Sequence, residues 1–204
     1  PIGILSALRP YSTFDQLATT IAFFGFSLPT FFTGLLFILL FSIWLDWLPF
    51  IYRSDIDATG WAWLAAHARQ AIMPVAVLGL FEGATLTRFV RASVLDVVRL
   101  DYVNTARAKG LSERFIIGKH VLRNALIPVV TVMALQVPTI FAGAVVTEQI
   151  FRVPGIGSLL IAAILASDTP VVMAITFVYS VLVVALNLIA DIVYGWLDPR
   201  ISYR

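Results

Sequence analysis

Four apolar runs, at residues 17–45, 71–87, 125–150 and 171–194, punctuate a chain of 204 residues. Each approaches or exceeds the roughly 20 residues that an α-helix needs to cross the hydrocarbon core of a bilayer. The first reads as one long span kinked at Pro29, where Ser27, Thr30 and neighbouring helices can satisfy the backbone groups that proline frees. The third is interrupted by Pro128 and Pro138. The fourth is uninterrupted. The pattern predicts an all-α, polytopic transmembrane bundle with four complete spans and the stub of a fifth.

The segments between the runs differ in character. Residues 1–8 look like the last turns of another apolar segment, and Arg9-Pro10-Tyr11-Ser12 is the turn after it. Pro1 is not an initiator Met and no basic leader precedes the apolar residues, so the chain reads as the C-terminal part of something longer. Trp44, Trp47 and Tyr52 suit an aromatic belt at an exit interface. Residues 46–70, which mix Arg53, Asp55, Asp57, Gly60 and Arg69, suit a wet external loop with a piece lying in the interface. Residues 158–167 are apolar but too few to cross, and a re-entrant or interfacial helix is expected there after the turn Arg152-Val153-Pro154-Gly155-Ile156-Gly157.

Charge adds orientation. The stretch from Arg88 to Arg123 holds eight of the fourteen Lys and Arg residues. At about 3 kcal/mol per charge at the centre of a span, burying all eight would cost about 24 kcal/mol, so this stretch stays in water. Only Arg53, Arg69 and Arg152 fall on the other side, and the excess of positive charge marks the basic side as cytoplasmic. The second span therefore continues as an amphipathic cytoplasmic extension to about residue 98, and residues 99–124 form the basic loop.

Within the loop, Asp101 is expected to cap a helix over residues 102–109, with Gly110 left-handed just past its end. Ser112 is expected to cap a second helix, with Glu113 in its first turn. Leu100, Val103 and Ala106 share one face and leave Arg107 and Lys109 exposed. The loop is then a rigid basic knob, although composition alone also allows an ordinary connector whose arginines only set topology.

Composition agrees with a membrane class: 60% of residues are hydrophobic and 13% charged, with a mean hydropathy of +0.93. There is no cysteine, which removes disulfides, thiol nucleophiles, Fe–S clusters and Cys-based zinc sites. His67 and His120 fall on opposite sides of the predicted membrane and cannot share a metal, so no metal site and no catalytic residue is assigned. No Walker A, His-Glu-x-x-His or Gly-x-Ser-x-Gly sequence occurs. Basic residues gathered at one membrane face do not suit nucleic acid.

Polar residues inside the spans are the candidates for a path. Thr176, Ser180, Asn187 and Asp191 fall on one face of the fourth span, and Gln136, Thr139, Gly143 and Thr147 on one face of the third. Such stripes either line a water-filled route or hold helices together. Gly79 and Gly83 read as a packing motif, with Glu82 facing the bundle interior or a polar partner. Glu148 falls at the external mouth, as a gate residue or as a simple i+4 pair with Arg152.

The residues Asp101-Tyr102-Val103-Asn104-Thr105-Ala106-Arg107-Ala108-Lys109-Gly110-Leu111-Ser112-Glu113, then Leu122-Arg123-Asn124-Ala125-Leu126-Ile127-Pro128, resemble the permease loop of ATP-binding-cassette importers, most of all the dipeptide and oligopeptide subfamily. Glu148-Gln149-Ile150-Phe151, Pro154-Gly155-Ile156-Gly157 and Leu197-Asp198-Pro199-Arg200-Ile201 extend the likeness over the chain. Against the broader importer motif (Glu-Ala-Ala, three residues, Gly, nine residues, Ile-x-Leu-Pro), Ala106, Gly110 and Leu122 agree. Asn104, Thr105, His120 and Arg123 depart from it in the manner of the peptide subfamily.

The resemblance implies a type I importer permease, truncated at its N-terminus, whose Asn104, Thr105, Ala106, Arg107, Ala108, Lys109, Gly110 and Leu111 form a coupling helix that docks on a separate cytoplasmic ATPase. It implies as partners a second homologous permease, two ATPase subunits and an external solute-binding protein. The chain itself would bind no cofactor, with ATP and Mg held on the ATPase subunits. Peptides are the implied solute, while the same subfamily also serves nickel chelates, glutathione and sugars. An ion channel is the contrasting class: it needs no docking loop and conducts alone.

Overall fold

A computed structural model describes residues 1–141 and 144–197. It contains ten α-helices and two π-helical stretches, and no strand among the described residues. The helices are α1 (Ile2–Leu8), α2 (Thr13–Ser27), α3 (Thr30–Phe37), α4 (Gly60–Val98), α5 (Asp101–Ala108), α6 (Glu113–Phe115), α7 (Arg123–Phe141), α8 (Val145–Phe151), α9 (Ile156–Leu165) and α10 (Thr169–Leu197). The π-helical stretches are Ile38–Trp44, continuing α3, and Ile116–Leu122, joining α6 to α7.

Three helical segments are long and apolar enough to cross a bilayer: Gly60–Val98, Glu113–Ala134 and Thr169–Ile189. Two bent pairs bring the number to five if each is one span. The first pair covers the expected span over residues 17–45, and its bend is far sharper than a kink. Helices Thr13–Ser27 and Thr30–Trp44 diverge by 104° at Leu28-Pro29. Pro29 takes φ −57 and ψ 141 at the start of α3. Proline excludes the helical region for the residue before it and removes an N–H, so the helix stops and restarts instead of kinking.

Two other boundaries also move. The expected external loop over residues 46–70 is helical from Gly60 onward, because no breaker stands between Gly60 and Arg99 except Pro74, which α4 accommodates. The expected third span over residues 125–150 is described as α7 up to Phe141, and Val145–Phe151 is a helix of its own, bent by 85° from α9. The fourth expected span, 171–194, lies inside α10, and the short apolar helix is α9. Gly143 and the terminal Asp198-Pro199-Arg200-Ile201 lie outside the described residues, as does the side chain of Thr139.

The chain divides into two compact units. The first comprises Pro1–Gly25, Gly83–Val137 and Ala185–Arg204, and its core joins Ala7 of α1, Val94 of α4, Val103 and Ala106 of α5, Ile116 and Val121 of the second π-helical stretch, and Ala125 of α7. The second comprises Phe26–Glu82 and Pro138–Val184, with a core of Ile38, Met73, Val77 and Phe151. In this second unit Tyr52 N–H donates to Phe151 O at 2.8 Å. Gln70, buried at 7% exposure, accepts from Arg53 N–H at 2.5 Å and donates from Nε2 to Arg53 O at 3.2 Å. These bonds fasten the non-helical residues 45–59 to the helices beside them, which the mixed composition of that segment did not reveal.

The coupling-loop candidate and the polar stripes

Helix α5 sits between two tight turns. Leu100, with extended backbone (φ −72, ψ 147), precedes it, and Asp101 opens the helix rather than capping it. The shift by one residue leaves Leu100 47% exposed instead of on the buried face. Val103 (0%) and Ala106 (6%) supply that face, buried against Val94, Ile116, Val121 and Ala125. At the other end Lys109 closes the helix and Gly110 takes φ +75. Only a residue without a Cβ enters that left-handed region without penalty, so glycine here makes the sharp reversal toward Ser112. Ser112 has the extended backbone of a cap but makes no side-chain capping bond, and α6 runs directly into the π-helical stretch and α7.

Side chains lock the reversal. Arg107 Nε donates to Glu113 Oε1 at 2.8 Å, bridging the Gly110 turn, and Arg107 Nη1 donates to Asn104 Oδ1 at 3.4 Å. On the opposite side, Tyr102 OH donates to His120 O at 3.2 Å, while Asn124 Nδ2 donates to Tyr102 OH at 3.0 Å and to His120 O at 2.9 Å. Lys119 Nζ stands 5.1 Å from the centre of the Phe115 ring. The tyrosine and asparagine escaped the sequence reading of this lock. Their signal was their place in the two halves of the loop motif, 22 residues apart.

Of the eight residues assigned to coupling, Asn104, Thr105, Arg107, Ala108, Lys109, Gly110 and Leu111 are exposed. Ala106 is the exception: it faces the core, so it serves the anchoring side of the helix and not close approach to a partner. The small methyl lets α5 lie close to Val94 and Val121 instead.

The path candidates differ in their local surroundings. Thr176 and Ser180 are exposed, but their hydroxyls donate to the carbonyls of Val172 (2.8 Å) and Thr176 (2.7 Å) on their own helix. Back-bonding of this kind satisfies a hydroxyl wherever the helix faces, so these two residues carry no preference for water. Asn187 and Asp191 are exposed, Gln136 is half-buried and Thr147 is buried at 3%. Gly79 and Gly83 have open space within this chain where a Cβ would stand, and Glu82 is exposed in it.

Glu148 does not make the i+4 pair with Arg152. Its Oε2 accepts the backbone N–H of Ser158 at 2.7 Å, in the first turn of α9, where an anion is favoured by the unpaired amides and the helix dipole. Ser158 Oγ accepts from Gly155 N–H at 3.0 Å, completing a clasp across the α8–α9 elbow. A Cβ on Gly155 would overlap the Glu148 carboxylate, so glycine is required there for close approach. Arg152, at φ +53, has turned out of helix α8, and the expected i+4 pair is replaced by the clasp. Glu148 also borders a cavity of about 280 Å3 lined by Tyr52, Pro74, Val75, Leu78 and Thr147 among others. Among the described residues no group of His, Cys, Asp and Glu is arranged to hold a metal ion.

Residues 1–203 match the family described as binding-protein-dependent transport system inner membrane component. The oligopeptide transport system permease protein AppB of Bacillus subtilis is 44% identical over 204 residues, covering all of this chain and 64% of that relative. The di/tripeptide transport system permease protein DppB of Pseudomonas aeruginosa is 43% identical over 218 residues, covering 99% of this chain and 65% of the relative. The glutathione transport system permease protein GsiC of Escherichia coli K12 is 40% identical over 202 residues, covering 99% and 62%. The chain thus spans a little under two thirds of the length of these relatives. An all-helical fold with membrane-length apolar helices and a family match over nearly every residue agree, and the chain belongs to the inner-membrane permease component family of binding-protein-dependent ATP-binding-cassette importers.

Proposed function

We propose that this chain is a permease subunit forming half of the translocation path of an ATP-driven peptide importer, and that residues 99–124 dock on a cytoplasmic ATPase. The observation that carries the docking is the construction of the turn. One face of α5 is sunk in a core, Tyr102 and Arg107 fasten its flanks, and the cationic remainder stands free. A lever has to be stiff inward and accessible outward, and α5 is both.

On this reading the basic loop and the C-terminus lie in the cytoplasm of a bacterial or archaeal cell, and the chain spans the cytoplasmic membrane several times. A second homologous permease completes the path, two ATPase subunits hold ATP and Mg and hydrolyse the nucleotide, and an external binding protein delivers the solute. Alternating access follows from motion of the two permeases relative to each other. The relatives whose names specify oligopeptides and di- or tripeptides support a peptide solute, and those named for glutathione support a second reading within the same architecture.

A photo-crosslinker in place of Lys109 in the assembled transporter should capture an ATPase subunit, and one in place of Arg53 should not. Capture at Arg53 and none at Lys109 would overturn both the docking and the orientation. Reconstituted by itself the chain should pass no ionic current, and a steady conductance would favour the channel class. Uptake of a labelled tripeptide should be suppressed by excess α-linked peptides. Suppression by glutathione or a nickel chelate alone would move the solute to the second reading.

A further inference from the structure

Asp15, in the first turn of α2, is buried at 3% exposure and is encircled by donors. Arg91 of α4, 76 residues away, donates from Nε to Oδ1 at 2.7 Å and from Nη2 to Oδ2 at 2.8 Å. Ser6 Oγ of α1 donates to Oδ1, Tyr11 N–H to Oδ2 at 2.8 Å, and Thr19 Oγ1 to Oδ1 at 3.3 Å. Three helices, α1, α2 and α4, thus meet on one carboxylate, and Ser6, Tyr11, Asp15, Thr19 and Arg91 all belong to the first compact unit. The group adjoins the core that holds the coupling helix: Ala7 follows Ser6, and Val90 and Val94 flank Arg91 on α4, and all three are in the cluster that receives Val103 and Ala106.

We propose that the Asp15–Arg91 pair is a positioning clamp that makes the start of α2 move with the coupling helix. Displacement of α5 reaches α4 and α1 through Val94 and Ala7, and reaches α2 through the forked contact of Arg91 with Asp15. A bidentate guanidinium–carboxylate pair fixes distance, rotation and register together, which an apolar contact that can slide does not. Apolar residues in the same volume would stabilise the bundle at least as well, so stability gives no reason for a buried ion pair at this place, whereas a fixed geometry does. Asp15 and Arg91 are positioning residues: neither needs to touch solute or nucleotide. The inference rests on the docking of residues 99–124 proposed above.

The test uses the assembled transporter with cysteine-free partner subunits, since this chain has no cysteine of its own. Spin labels at Thr13→Cys and Asp96→Cys, both exposed and both in the first unit, report the α2–α4 distance with and without trapped ATP. The distance should stay equally narrow in both states. Asp15→Asn should broaden it and raise the ATP hydrolysed per solute imported on the order of tenfold, the scale of a lost coupling element. Arg91→Lys keeps the charge without the fork and should fall between. An ATP-dependent shift of the Thr13–Asp96 distance in the otherwise unaltered chain overturns the clamp, as does an Asp15→Asn transporter whose ATPase and uptake fall in equal proportion. Crosslinking at Lys109 separates the two readings: if it captures the ATPase while the Thr13–Asp96 distance shifts, only the clamp is lost.

Discussion

Replacing Gly110 by Val should cut ATP-driven uptake by about tenfold or more while the chain still inserts in the membrane. The left-handed backbone costs a residue with a Cβ about 1–2 kcal/mol, and a β-branched residue is among the least tolerant of it. Each 1.4 kcal/mol is a factor of ten in the population of the turn. Nothing lies within 4 Å of the position a Cβ would take, so the effect is one of backbone conformation and not of collision. Once φ leaves +75, the chain no longer reverses toward Ser112 at this point, and the Arg107–Glu113 bridge loses its register. The apolar residues of the membrane-length helices are unchanged, so the chain should insert as before. Gly110→Asn is the matched control, since asparagine tolerates the left-handed region, and it should keep most of the uptake. Uptake into proteoliposomes, set against the amount of inserted protein, makes the measurement. A Gly110→Val chain that imports at the unaltered rate and still crosslinks from residue 109 to the ATPase would remove the lever from the mechanism.

At the α8–α9 clasp, Gly155→Ala should lower the thermal midpoint of the detergent-solubilised chain by about 5 °C, which converts about 1–3 kcal/mol for an unsatisfied amide at this chain length. The new methyl occupies the place of the Glu148 carboxylate. Its displacement leaves the Ser158 N–H without its acceptor at the start of α9. Glu148→Ala should produce a comparable fall by removing the same acceptor, whereas Glu148→Gln keeps an oxygen in place and should cost less. The two alanine changes act on one contact, so the double variant should be clearly less destabilised than the sum of the singles. Additive losses would show that Gly155 and Glu148 do not share the contact seen here. A gate role for Glu148 predicts something else: a change in uptake at unchanged thermal stability.

The contrast between these two sites shows what could be read early. Gly110 was legible because a lone glycine after an apolar-periodic segment and before Ser112-Glu113 has one economical explanation, a left-handed stop between two helices. The Glu148 clasp was not legible because its partner, Ser158 N–H, lies ten residues on, across a bend that no local pattern specifies. In the polar stripe of α10, regular spacing placed Thr176 and Ser180 on one face, and only the structure showed that their hydroxyls are satisfied by their own helix. Pro29 shows the limit of reading breakers, since its presence announced a distortion but not its amplitude of 104°. Asp15 and Arg91 gave no signal at all, because nothing local relates two charges 76 positions apart.

By itself the sequence determined the all-α membrane class, the concentration of positive charge between residues 88 and 123, and the stop at Gly110. Each of these follows from interactions between residues close in the chain or from the cost of placing charge in hydrocarbon. The tertiary structure alone decided which distant residues the Val103–Ala106 face of α5 packs against, that Glu148 clasps α9, and that α1, α2 and α4 meet on Asp15. Those outcomes depend on which distant segments share a volume, and a side chain's partners in that volume are set by packing and not by spacing.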